Sequence, residues 1–140
     1  MATAKWATPG TRSSDLSGSV LNVASFTNGT ESGTMTYDNS TAKDLYGTVT
    51  IKLASLTPTA GASVTLRVQY NDGTDAPTAK FGGDLYTSLV ENTTGAKTVM
   101  FNMVRLYPYS MLFSVINNTG TTIPSTGNNF YVRPWNEDVS

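Results

Sequence analysis

The chain has 140 residues, a formal net charge of -1, 14% charged residues, and neither cysteine nor histidine. That length suits one domain with a core of its own. The missing residue types exclude disulfides, thiolate nucleophiles, Cys/His metal sites and any His-based triad or general base. The nine Lys and Arg residues stand singly along the chain, so the clustered footprint of a nucleic-acid binder is missing.

Residues 1–17 read as an N-terminal arm, with Trp6, then Pro9, Gly10 and a Thr/Ser run. Such an arm is either a frayed terminus or a segment that docks Trp6 on a neighbouring subunit. It has no apolar segment of the kind that marks a cleaved leader, so synthesis in a cytosol is expected. No apolar run approaches the roughly 20 residues of a membrane helix, and no membrane partner is expected.

Residues 18–140 read as a single β domain with a tail from about 134. Eight strands are predicted, over 19–26, 33–38, 45–54, 62–71, 84–90, 97–106, 110–117 and 128–133. The clearest are the third and fourth. In the third, Val49, Ile51 and Leu53 alternate with Thr48, Thr50 and Lys52. In the fourth, Val64, Leu66, Val68 and Tyr70 alternate with Ser63, Thr65, Arg67 and Gln69. Successive strand side chains leave on opposite faces, so period two marks a half-buried strand. Between the strands lie turn formers such as Asn28-Gly29, Asn71-Asp72-Gly73, Thr94-Gly95 and Thr126-Gly127. Residues 41–45 support a short turn at most. Thr, Ser and Asn make up about a third of the chain and supply its polar surface.

The sixth and seventh strands, K-T-V-M-F-N-M-V-R-L and S-M-L-F-S-V-I-N, are apolar on both faces. They are expected at the centre of a sheet or under a partner. Met100, Met103 and Met111 are expected as core filler, with a subunit interface as the alternative for an outward set. Pro134 is expected to end the last strand and free Trp135 to dock.

No motif carries catalysis. Asn71-Asp72-Gly73-Thr74-Asp75 offers oxygen ligands but lacks the EF-hand pattern, and reads as a polar hairpin turn. Asp84, Glu91, Glu137 and Asp138 read as solvated carboxylates rather than a glycosidase pair. Lys80-Phe81-Gly82-Gly83 reads as a loop, since no phosphate-binding pattern surrounds it. The four N-x-[ST] matches, at Asn28, Asn39, Asn92 and Asn117, follow from composition. Tyr86, Tyr107, Tyr109, Tyr131 and Trp135 suit a protein seam, the core or a sugar platform. The chain is expected not to be an enzyme and to need no cofactor or metal.

The stretch LASLTPTAGASVTLRVQYNDGTD, preceded by LYGTVTIK, resembles small structural proteins encoded by tailed bacteriophages. The matching segments are Asp38-Asn39-Ser40-Thr41, Asp44-Leu45-Tyr46, residues 53–61 and Asp72-Gly73-Thr74-Asp75. The closing Tyr131-Val132-Arg133-Pro134-Trp135-Asn136-Glu137-Asp138-Val139 is similar to the tail of the same group. The resemblance implies a virion component, such as a head decoration or other capsid-associated protein with a β-sandwich fold, and brings no catalytic residues.

The expectation is therefore an all-β, antiparallel, jelly-roll-like sandwich of about eight strands. Its expected role is to bind the outer surface of a phage head as a homo-oligomer, with a trimer favoured and the major capsid protein as partner. A carbohydrate-binding or adhesion module that takes a host glycan, or a head–tail or tail component, is the alternative. The residues expected at interfaces are Trp6, Tyr107, Tyr109, Tyr131, Arg133 and Trp135.

Overall fold

The computed structural model describes residues 3–18, 20–22, 26–77 and 83–139. Nine strands occur among them: β1 (Ala4–Trp6), β2 (Met35–Asp38), β3 (Tyr46–Leu56), β4 (Ser63–Tyr70), β5 (Asp84–Leu89), β6 (Gly95–Arg105), β7 (Ser110–Asn118), β8 (Asn129–Trp135) and β9 (Glu137–Val139). Among the described residues no helix is long and apolar enough to cross a membrane. Seven of the eight expected strands are present, as β2 to β8, each with ends within two residues of expectation. The exception is 19–26. Residues 19 and 23–25 lie outside the described set, residues 20–22 turn, and Phe26 makes only an isolated bridge to Ile123.

The strands form a sheet ordered β2-β7-β4-β5, a second ordered β6-β3-β8, and a separate β1-β9 ribbon, all antiparallel. The pairing is nested. β4 pairs with β5, β3 with β6, β2 with β7, and β1 with β9. The arm completes the series along β8, where the Gly10, Ser13 and Leu16 amides donate to the Pro134, Val132 and Phe130 carbonyls at 2.8, 2.7 and 2.8 Å. One long antiparallel hairpin rolled over on itself gives this order, which is jelly-roll-like.

The rolled sheets bury the alternating apolar sets. Val49, Ile51 and Leu53 of β3 face Val64, Leu66 and Val68 of β4 within one core. Phe113 of β7 and Phe130 of β8 meet across it with ring centroids 5.5 Å apart. Burying each such ring stabilises the fold by about 2–3 kcal/mol through area alone.

Three expectations are corrected. β6 is an edge strand and only β7 is central, so apolar residues on both faces of β6 do not mean that neighbours flank it. Met111 is fully buried, but Met100 and Met103 are 51% and 58% exposed. The cause at Met103 is a bulge: Gly47 pairs with Val104 and Val49 with Phe101, which leaves Asn102 and Met103 together opposite Thr48. Two residues against one keeps Phe101 and Val104 inward and turns both intervening side chains outward. Finally, Pro134 does not end its strand. β8 runs on to Trp135, and Pro134 lies opposite Gly47. Its carbonyl faces the arm, so its missing N–H falls on the edge side of the strand, where no ladder bond is lost.

Candidate functional site: the outer face of β6-β3-β8

Period two carries Tyr131, Arg133 and Trp135 to the outer face of β8. The register with β3 sets them beside Thr50, Thr48 and Tyr46. β6 adds Met100 opposite Thr50, and Asn102 and Met103 at the bulge. The arm, lying along the edge of β8, contacts this face. Arg133 Nη1 donates to the Gly10 carbonyl at 3.0 Å, and the Arg12 guanidinium lies 3.8 Å from the centre of the Tyr131 ring. At the far end of the arm, Trp6 meets Trp135 edge-on at 4.9 Å, and Trp135 stacks on Tyr46 at 4.7 Å. Together with Pro9, Thr48 and Met103, the two tryptophans line an open hollow of about 400 Å³.

Trp6 is thus neither frayed nor free in the single chain. It sits in β1, pairs with Glu137 of β9, and remains 64% exposed. Trp135 is half-buried between its aromatic neighbours. The outer face of the other sheet has a different character at its centre. There Arg67 pairs with Glu31 at 3.0 Å, Ser114 Oγ donates to Glu31 at 2.6 Å, and the hydroxyls of Thr65 and Thr87 meet at 2.9 Å. At its edge that face carries exposed Leu85 and Leu89 on β5.

Tyr107 and Tyr109 do not join the Trp135 group. They flank Tyr70 of β4, which stacks on Tyr107 at 3.9 Å and on Tyr109 at 6.1 Å. The Tyr107 hydroxyl donates to Asp84 at 2.9 Å. Burial, with the Asp84 carboxylate beside it, pushes the Tyr107 phenol up to about 12. Tyr86 turns inward against the core, and its hydroxyl accepts the Arg105 amide at 3.2 Å.

A sugar platform needs free, coplanar ring faces. Here Tyr107 and Tyr109 each stack on Tyr70, Trp135 stacks on Tyr46, and Tyr131 carries a guanidinium. Residues 71–75 form a polar turn: Asn71 accepts the Gly73 amide at 3.1 Å and Asp72 the Thr74 amide at 2.9 Å. The backbone amides of Asp75 and Thr74 hold the Asp72 carboxyl below its usual range. The expected Lys80-Phe81-Gly82-Gly83 loop lies outside the described residues except for Gly83. Among the described residues, no group of three or more Asp or Glu gathers to hold a metal ion.

The arm is pinned by Asp15. Its carboxylate accepts the Phe130 amide at 3.0 Å, the Asn129 side chain at 2.7 Å and the Ser17 amide at 2.9 Å. Burial raises this carboxyl, but the hydrogen bonds outweigh it and hold the group below the ordinary 3.8. A folded value below the unfolded one gives stability that is present above that ordinary value and lost as pH falls through the folded one. The Phe130 amide resonance should therefore titrate with a midpoint below 3.8. The midpoint should vanish in Asp15→Asn, and a Phe130 resonance that ignores pH in the native protein would show that Asp15 does not hold the arm.

Sequence reasoning missed Tyr46 and Pro9, and gave the outward position of Met100 and Met103 only as the alternative to core filler. Tyr46 was within reach, because extending the Thr48, Thr50 alternation back two residues puts it on their face. No protein-family model and no curated protein matches the chain.

Proposed function

We propose that this chain is a structural virion protein, a decoration subunit that binds the outside of a phage head as a homo-oligomer with three copies the expected order. The observation that carries the reading is a cluster of large side chains at one end of the outer face of β6-β3-β8, where Met100 and Met103, with Trp6 of β1 beside Met103, are each more than half exposed. Large exposed apolar side chains gathered on one sheet face mark a protein–protein surface, and tryptophans are its usual anchors. The resemblance of the 44–75 and 131–139 segments to tailed-phage structural proteins supplies the setting.

The mechanism is thermodynamic. A subunit that contacts two neighbouring copies of the major capsid protein binds only the assembled shell, and stabilises it by mass action. At a free concentration a hundred times the dissociation constant, the gain is about 2.7 kcal/mol per bound site. Synthesis takes place in the host cytoplasm and the working location is the capsid surface. The glycan-binding alternative draws less support, because the ring faces that would stack on a sugar are turned on one another.

Gold-labelled antibodies against the purified protein should decorate the heads of virions of the phage that encodes it. Label confined to tails would move the protein to the tail, and unlabelled virions would overturn the reading.

A further inference from the structure

We infer that the β1-β9 ribbon is a head-to-tail docking element for a second copy of this chain, with β1 of one copy lying beside β9 of the next. This deepens the homo-oligomer part of the proposed function and rests on it. Among the described residues, β1 and β9 pair with each other and with no other strand. Each therefore presents a free edge of N–H and C=O groups, a template for another strand. A lone two-stranded ribbon is marginal in water, so a further strand on its edge has a large effect on its order. All three residues of β1 are exposed, Trp6 to 64% even with Trp135 against it.

The charges choose the partner strand. β1 carries Lys5, and β9 carries Glu137 and Asp138, all exposed. Setting β9 beside β9 faces carboxylates with carboxylates, and setting β1 beside β1 faces ammonium with ammonium. Like charges opposed across a ladder are destabilising. Only β1 beside β9 places opposite charges together, as the pairing of Lys5 with Asp138 already does within one chain. The contact joins two different surfaces, so it is heterologous, and repeated around an axis it closes a ring rather than a two-fold dimer. The apolar hollow at Trp6 and Trp135 adjoins the ribbon, so the same contact covers exposed ring surface.

The chain has no cysteine of its own, so an engineered thiol is unique. Lys5→Cys and Asp138→Cys proteins are prepared separately, mixed in dilute solution, concentrated and oxidised mildly. Strands in register bring Cα atoms within disulfide reach. The mixture should give interchain disulfide dimers at least tenfold more than either variant alone. The protein carrying both substitutions forms the bond within one chain and proves that the thiols react. Dimers from Asp138→Cys alone or Lys5→Cys alone at the level of the mixture would mean two-fold pairing and overturn the inference. A mixture that cross-links no better than unfolded chains would also overturn it. Virions without antibody label beside a positive cross-link would overturn the virion reading and leave the ribbon standing.

Discussion

Asn128→Ala is expected to remove about 3–5 kcal/mol of stability, a large share of the 5–15 kcal/mol a domain usually holds. Asn128 is 1% exposed at the entry to β8. Its side-chain amide donates to the Leu21 carbonyl at 2.9 Å and the Pro124 carbonyl at 2.7 Å, and its side-chain oxygen accepts the Ala54 amide at 2.9 Å. Its backbone N–H donates to Asn22 at 2.9 Å, and its carbonyl accepts from Ser17 Oγ at 3.1 Å. One residue thus ties the base of the arm, the end of β3 and the loop before β8. Alanine keeps the backbone bonds but leaves two carbonyls and an amide without partners. Each buried orphan costs about 1–3 kcal/mol, less where water can enter. Urea unfolding should show a lower midpoint at unchanged slope. The neighbouring Asn129→Ala, which removes only an exposed bond to Asp15, should shift the midpoint little. Equal shifts for the two variants would show that the Asn128 network does not hold the fold.

Trp135→Ala is expected to weaken self-association and shell attachment by about 30-fold or more, the effect of a 2 kcal/mol hot spot. The unfolding midpoint should change far less. Trp135 lies on the outer face of β8, and its ring partners Tyr46 and Trp6 are surface residues rather than core members. Truncation removes the platform against which Trp6 is held and opens the hollow beside Met103. Light scattering over a concentration series reads the association, and circular dichroism reads the fold. A variant that is unfolded would place Trp135 in the stabilising core. A folded variant that associates as the native chain does would remove this face from the interface.

Much of the fold was legible because β structure writes its local rule into the chain. Val49, Ile51 and Leu53, and likewise Val64, Leu66 and Val68, had to share a face whatever strand lay beside them, and all six are buried. The same rule put Tyr131, Arg133 and Trp135 on one side of β8. It erred where geometry depends on a neighbour. Met103 is exposed because β6 carries one residue more than the facing stretch of β3, a mismatch set between two strands and written in neither alone. Pro134 looked like a stop because its missing N–H matters only when a ladder lies on that side, and the side is a property of the sheet. The six expected interface residues divided for the same reason. Tyr107 and Tyr109 were drawn to Tyr70, 37 residues or more away in sequence, by the turn that brings the start of β7 against the end of β4.

The sequence by itself determined that the chain is built of strands, where β2 to β8 lie and which side chains of β3 and β4 enter the core, because period two and turn chemistry act over a few neighbouring residues. The tertiary structure decided which strands share a sheet, that the arm lies along β8, and that Trp6 meets Trp135. The first rests on pairings between strands tens of positions apart and the other two on contacts between residues more than a hundred positions apart, whose free energy exists only once the hairpin has rolled and both sheets have closed on one core.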